Sequence, residues 1–314
     1  MKLFNLNESY HRNQKYRYAI FSDLHIGSKA LNKQALDRDL SDCKRDDTKV
    51  IINGDTLDLI LMQDHKRAMP SQIKNEDGQI NKYVDEAAEL LLPYVSQLCI
   101  IGTGNHENSI TKHHGVDVLA WLIDKLNREK TNGKIQQGHY QNFIRINFLD
   151  PSHRNKFLCS YDIFLHHFVG GSSPVTKGMI DFNRIITANQ ADLYIGSHKH
   201  NNFETSYPLT YITPSGRIET KDRKAVMTPP YTNPVNTGKE TAWTDTFYGR
   251  QALPGYAKLE LLPYKLTYNN QVEYKLKSDV HIISNGGLME LESKIEFPTE
   301  VITLVRSKQK ESQR

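Results

Sequence analysis

Five short segments of this 314-residue chain gather side chains able to hold cations or move protons. They are Asp23-Leu24-His25, Gly54-Asp55-Thr56-Leu57-Asp58, Gly104-Asn105-His106-Glu107, the adjacent pair His166-His167, and His198-Lys199-His200. Taken singly, each has an ordinary explanation: Asp23 can cap a helix, and the Gly-Asp and Gly-Asn pairs are common turn residues. His198 and His200, two apart on an extended segment, share a side and can address one ligand. Alternation sends His166 and His167 opposite ways, so one of them is expected to reach a common site. His166, the first to follow the apolar run, is taken as that residue. Carboxylate, amide oxygen and imidazole together make a moderately hard donor set that suits Mn²⁺, Fe or Zn²⁺, and the lack of thiolates argues against a purely structural zinc.

In this order, from about Tyr18 to Asn202, the five motifs resemble those of the calcineurin-like metallophosphoesterase superfamily. Its members include Ser/Thr protein phosphatases, purple acid phosphatases, cyclic-nucleotide phosphodiesterases and nucleases. The resemblance implies two divalent cations, Mn²⁺ first with Fe or Zn²⁺ as alternatives. Asp23, His25 and His200 would hold one, Asn105, His166 and His198 the other, and Asp55 would bridge them. Paired cations can clamp the attacking and leaving oxygens of an in-line displacement, and the implied nucleophile is a hydroxide between them. His106 is implied to be catalytic rather than a ligand, stabilising the transition state and protonating the leaving oxygen, with Asp55 the other residue central to catalysis. Glu107 and Asp58 would orient these groups. One departure stands out: Ser197 lies between Gly196 and His198, where the family usually has Gly directly before the His. The implied substrate is a phosphomonoester or phosphodiester, with nucleotides, DNA or RNA as candidates. The alternative is a non-catalytic relative that keeps the fold as a scaffold or binding protein.

The elements that must position these motifs are legible as apolar runs ending in polar loops. Arg17 to Phe21, Lys49 to Ile52, Gln97 to Ile101, Asp162 to Leu165 and Ala191 to Ile195 each stop just before one of the five. Ligands of open α/β sheets collect at the carboxyl ends of strands, so loops far apart in sequence can converge. Leu31, Leu36, Leu40 and Cys43 repeat at helical spacing, as do Val84 to Leu92 and Val116 to Leu126. Asn142 to Phe148 alternates like a half-exposed strand, and Tyr256 to Leu262 and Lys265 to Leu276 read as further strands, the last turned at Asn269-Asn270. The expected architecture is the family's four-layer α/β/β/α sandwich of two mixed sheets. It would span residues 16–285 with a long loop at 227–254 inside it, followed by a C-terminal extension over 286–314 whose charged end is disordered. His65, with Asp64, Lys66 and Arg67, follows the second motif and is expected in a solvated loop. Trp243, Phe247, Tyr248 and Arg250 are expected to pin the long loop to the core.

Composition limits the partners. The net charge of +4 arises from 40 basic and 36 acidic residues spread along the chain. A dedicated duplex binder would concentrate its Lys and Arg in a stripe, and none is seen. Three widely spaced cysteines, Cys43, Cys99 and Cys159, make no disulfide framework. With neither a signal-like N-terminus nor a membrane-length apolar run, the expected setting is cytoplasmic, without a membrane partner.

Overall fold

The computed structural model describes residues 1–59, 78–171, 175–213, 216–233, 251–268 and 271–284. The expectations for His65 and its neighbours, for Trp243, Phe247, Tyr248 and Arg250, for the Asn269-Asn270 turn and for the 286–314 extension lie outside these residues.

The apolar runs form the centre of two six-stranded mixed sheets. In one, β2 (Tyr16–Phe21), β3 (Lys49–Asn53), β4 (Leu98–Gly102) and β5 (Gln136–Gln137) are parallel. Beside β2 run β11 (Gly255–Tyr268), antiparallel to it, and β12 (Gln271–Ser284) at the edge. The other sheet has the order β1 (Lys2–Ser9), β6 (Gln141–Asp150), β7 (Lys156–His167), β8 (Leu193–Ser197), β10 (Ile218–Met227), β9 (Phe203–Ile212). The sequence reading starts the domain at residue 16; the structure adds β1, paired along β6, to the same sheet.

Strand alternation builds the layers. On β2, Tyr18 and Ile20 point into the core between the sheets, where they meet Ile144, Ile146, Ile163 and Leu165 from β6 and β7. Ala19 and Phe21 point the other way, onto α1 (Lys33–Arg45), α2 (Gln79–Leu91), α3 (Asn105–His114) and α4 (Val118–Glu129). On the far side, Phe164, Tyr194, Ala225 and Met227 pack against Phe182, Ile185 and Ile186 of α5 (Met179–Ala188). The result is the expected four-layer α/β/β/α sandwich. Fully burying one such side chain, Ile20 for example, is worth roughly 1.5–3 kcal/mol. Asn32 and Asp117 cap α1 and α4 by accepting from Ala35 N and Ala120 N, each at 2.9 Å. Pro208, which cannot donate to a ladder, lies on the edge strand β9. No described helix is long and apolar enough to cross a membrane.

One polar cluster ties β2 to β11. Glu260 pairs with Arg17 in register and accepts from Lys15 Nζ at 2.9 Å and Arg17 Nε at 3.2 Å. The Lys15 hydrogen bond, helped by Arg17 and Lys258 against desolvation, pulls its carboxyl from 4.5 down to about 2. A depressed folded-state value means stability that is present above pH 4.5 and is lost as pH falls toward 2. Because solvent screens this cluster, Glu260→Gln is expected to cost about 0.2–1 kcal/mol at pH 7. Urea titrations stepped from pH 7 to pH 3 should show the gap between variant and parent narrowing below pH 4.5; a constant gap would contradict the assignment.

Candidate metal centre

The loops following β2, β3, β4, β7 and β8 meet at one place, and the backbone there is unusual. Asp23, His25 and Asp55 have φ of 49°, and His198 and His200 have φ of 77° and 51°. Asp and His tolerate this left-handed region better than most residues, but several instances at one site mark a backbone held by its surroundings. Gly54 is also left-handed, with φ of 85°, and a Cβ on it would lie 2.5 Å from His167 Nδ1. A Cβ on Gly104 would lie 2.1 Å from Asp55 Oδ1, so only glycine lets the third motif approach the second this closely.

Three groups of potential ligand atoms each gather within 4.8 Å: Asp23, Asp55, His167 and His198; Asp23, His25 and His200; and His25, Asp55 and His106. Asn105 joins the first group, its Oδ1 lying 3.1 Å from His167 Nε2. The structure therefore brings together Asp23, His25, Asp55, Asn105, His106, His198 and His200. It does not bring in His166. That imidazole leans on Phe168, with ring centroids 5.0 Å apart, and its Nε2 is 3.1 Å from the Gln141 amide nitrogen. His167 is fully buried and takes the place expected of His166. The cause is strand parity: Ile163, Leu165 and His167 share the β7 face toward the second sheet, whereas Phe164 and His166 share the face toward α5.

Hydrogen bonding shows which lone pairs are left to face inward. His25 Nδ1 is 3.2 Å from Asp58 Oδ1, so it donates there and leaves Nε2 pointing at His200 Nε2, 3.3 Å away. His167 Nδ1 is 3.0 Å from the Asn53 carbonyl, an acceptor only. Its Nε2 consequently faces Asp55 Oδ2 at 3.2 Å and the Asn105 oxygen at 3.1 Å. Asp23 Oδ1 is buried without a hydrogen-bond partner, while Oδ2 accepts from the His198 backbone N–H at 3.1 Å. Lone pairs converging on lone pairs in a buried pocket need a positive charge between them, so this donor set fits divalent cations.

In the protein alone, protons are drawn into that role. Burial works against charge on His25, but the hydrogen bond to Asp58 and the nearby Asp55 prevail and raise its pKa to about 9. His167 rises to about 9 in the same way, with Asp55 overcoming desolvation. Both Asp55 and Asp23, despite burial, are held well below the usual carboxylate range by the surrounding histidines. His198 is pushed down to about 4 by burial and by His167.

His106 is tied differently. Its Nδ1 donates to the Asp58 carbonyl in a short hydrogen bond and its backbone N–H donates to Asp55 Oδ1 at 3.0 Å, while Nε2 faces the pocket 4.0 Å from Asp55 Oδ2. Burial and the neighbouring His25 lower its pKa and so favour the neutral ring. Glu107, expected to orient the His106 ring or a neighbouring ligand, acts through backbone: its two oxygens accept from Leu57 N and Gly104 N, each at 2.9 Å, clamping the second motif to the third. Burial and Asp55 raise its carboxyl to about 7.

Several supporting residues had no motif to announce them. Lys199 is buried between the two motif histidines, and its ammonium donates to the carbonyls of Val169, Gly170 and Gly171 at 2.7, 2.8 and 3.1 Å, anchoring the loop after β7. Thr228 N donates to the Gly196 carbonyl at 2.9 Å and Tyr231 N to the Asp23 carbonyl at 3.0 Å, so the segment after β10 holds two ligand loops. Tyr231 stacks on Phe21 and donates to the buried Asp39 of α1 at 2.8 Å, which fixes the segment itself. The only sequence signal for Lys199 was its place between two histidines; for Tyr231 there was none.

No protein-family model and no curated protein matches the chain. Among solved structures it is similar to a metallophosphoesterase from Sphaerobacter thermophilus, with 13% identity, 85% of this chain and 88% of that one covered, and a TM-score of 0.33. It is also similar to GAP50, the anchor in the inner membrane complex of Plasmodium, with 11% identity, 86% and 89% coverage, and a TM-score of 0.40. At these values neither neighbour assigns an activity to this chain.

Proposed function

We propose that the protein is a metal-dependent phosphoesterase whose two divalent cations are held by Asp23, His25 and His200 on one side and by Asn105, His167 and His198 on the other, with Asp55 between. The observation that carries this is the buried convergence of carboxylate and imidazole ligand atoms within 4.8 Å of one another, with the Asn105 amide oxygen beside them. Bound cations would supply positive charge for a phosphoryl group and lower the pKa of water. The chain's own residues do the rest. Asp58 and the Asn53 carbonyl each hold the Nδ1 of one histidine, directing its Nε2 inward. Glu107 keeps the second and third loops in contact, and Lys199 keeps the His198 loop against the strand end. His106 presents Nε2 as the atom that can take or give a proton at a reacting oxygen. The substrate class is a phosphomonoester or phosphodiester; nucleotides, DNA and RNA fall within it.

The test is turnover of a chromogenic monoester and a chromogenic diester with Mn²⁺, beside single- and double-stranded DNA. Hydrolysis that vanishes with chelator and returns with metal is the expected result. Cleavage of the monoester alone would remove the nuclease option. Failure of every substrate after metal loading would overturn the enzymatic reading in favour of a scaffold.

A further inference from the structure

Ser197, the residue that departs from the Gly-His-x-His pattern, is completely buried where the two sheets meet at the centre. Its hydroxyl lies 2.9 Å from the Asn53 carbonyl, 3.0 Å from Asn53 Nδ2 and 2.9 Å from His167 Nδ1. Asn53 ends β3 in one sheet, whereas Ser197 and His167 end β8 and β7 in the other, and all three are fully buried. A hydroxyl has one hydrogen to donate and two lone pairs to accept with. Here the hydrogen goes to the Asn53 carbonyl, and the lone pairs receive the Asn53 amide and His167 Nδ1–H. The reverse arrangement, with a bare His167 Nδ1 accepting from Ser197, would set that lone pair against the Asn53 carbonyl oxygen at 3.0 Å.

We infer that Ser197 is a positioning residue which, with Asn53, locks His167 as its Nδ1–H tautomer and so aims Nε2 at the cation shared with Asp55, Asn105 and His198. The inference rests on the metal-centre reading above and deepens it: strand parity brings His167 to the pocket, and the residue that breaks the motif fixes which of its nitrogens faces inward. The lock also spans the sheets. Asp55 and Asn105 follow strands of one sheet, whereas His167 ends and His198 follows strands of the other, so the Asn53–Ser197 contacts help set the spacing of donors from opposite sides.

Ser197→Ala keeps the small volume and removes the hydroxyl. Ser197→Thr and Ser197→Val then form a pair of equal bulk that differ in the hydroxyl, so a packing effect cannot pass for a hydrogen-bond effect. Calorimetric titration with Mn²⁺ should give two ions for the parent and the Thr variant. In the Ala and Val variants one ion should bind as before and the other about 10- to 100-fold more weakly. In the Zn²⁺-loaded parent, ¹⁵N NMR should show a slowly exchanging Nδ1–H on His167, and in the Ala variant that signal should be lost to solvent exchange. Ala and Val variants that bind both ions like the parent, with the Nδ1–H signal unchanged, would overturn the role of Ser197 while leaving the centre intact. A parent that binds no metal would overturn the centre itself, and this inference with it.

Discussion

Replacing His167 by alanine is expected to remove one of two bound cations and abolish turnover, while the same change at His166 leaves both in place. His167 is fully buried with Nε2 against Asp55 and Asn105, and nothing else among the described residues could fill its position there. Loss of an outer partner to a ligand typically costs 10- to 100-fold in affinity, so loss of the ligand should exceed about 100-fold. The His166 ring packs on Phe168 and sits beside Gln141, on the face of β7 away from the pocket. His166→Ala should therefore lower thermal stability by trimming a contact while elemental analysis still finds two equivalents of metal. The reverse pattern, metal lost from the His166 variant and kept by the His167 variant, would overturn the assignment of His167 as the ligand.

How much of this was legible beforehand differs from element to element. The strands β2, β3 and β4 are nearly continuous apolar runs because both faces are buried, and each ends in a polar loop, so they and their motifs were readable. The identity of the β7 ligand was readable too, but from a different signal than position after the run. Asp162 pairs with Arg145 on the outer face, so the even residues of β7 point outward and His167, not His166, shares the buried face with Ile163 and Leu165. β1 was missed because its polar alternation, Lys2 to Ser9, resembles a solvated N-terminus until β6 lies beside it. The β9–β10 hairpin was missed for a related reason. On β9 half-buried and exposed positions alternate, so no continuous apolar run announces the strand, and Pro208 argues against a strand unless it lies at an edge. The roles of Ser197, Asn53, Lys199 and Tyr231 were hidden because each depends on partners distant in sequence. Asn53 and Ser197, for instance, are separated by 144 positions.

His106→Asn is expected to keep both cations and lose about a hundredfold to ten-thousandfold in kcat, the range for removal of a positioned acid or base. Asparagine can still donate to the Asp58 carbonyl as His106 Nδ1 does, and the backbone N–H to Asp55 Oδ1 is untouched, so the loop should hold its shape. What disappears is Nε2, the ring atom that faces the pocket and can exchange a proton. The neutral ring that burial favours suits this work, since a neutral Nε2 can accept a proton at one stage and return it at another. His106 also lies within ligand distance of His25 and Asp55, which makes metal content the deciding measurement. Asp55→Asn supplies the contrast, because Asp55 belongs to the group with His167 and His198 as well as to the group with His25. Weakening the carboxylate proposed to lie between the two sides should release metal from both. Elemental analysis of the two variants together separates the roles: equal metal loss would make His106 a ligand, whereas full occupancy in His106→Asn beside depletion in Asp55→Asn assigns the imidazole to proton transfer and the carboxylate to holding the pair.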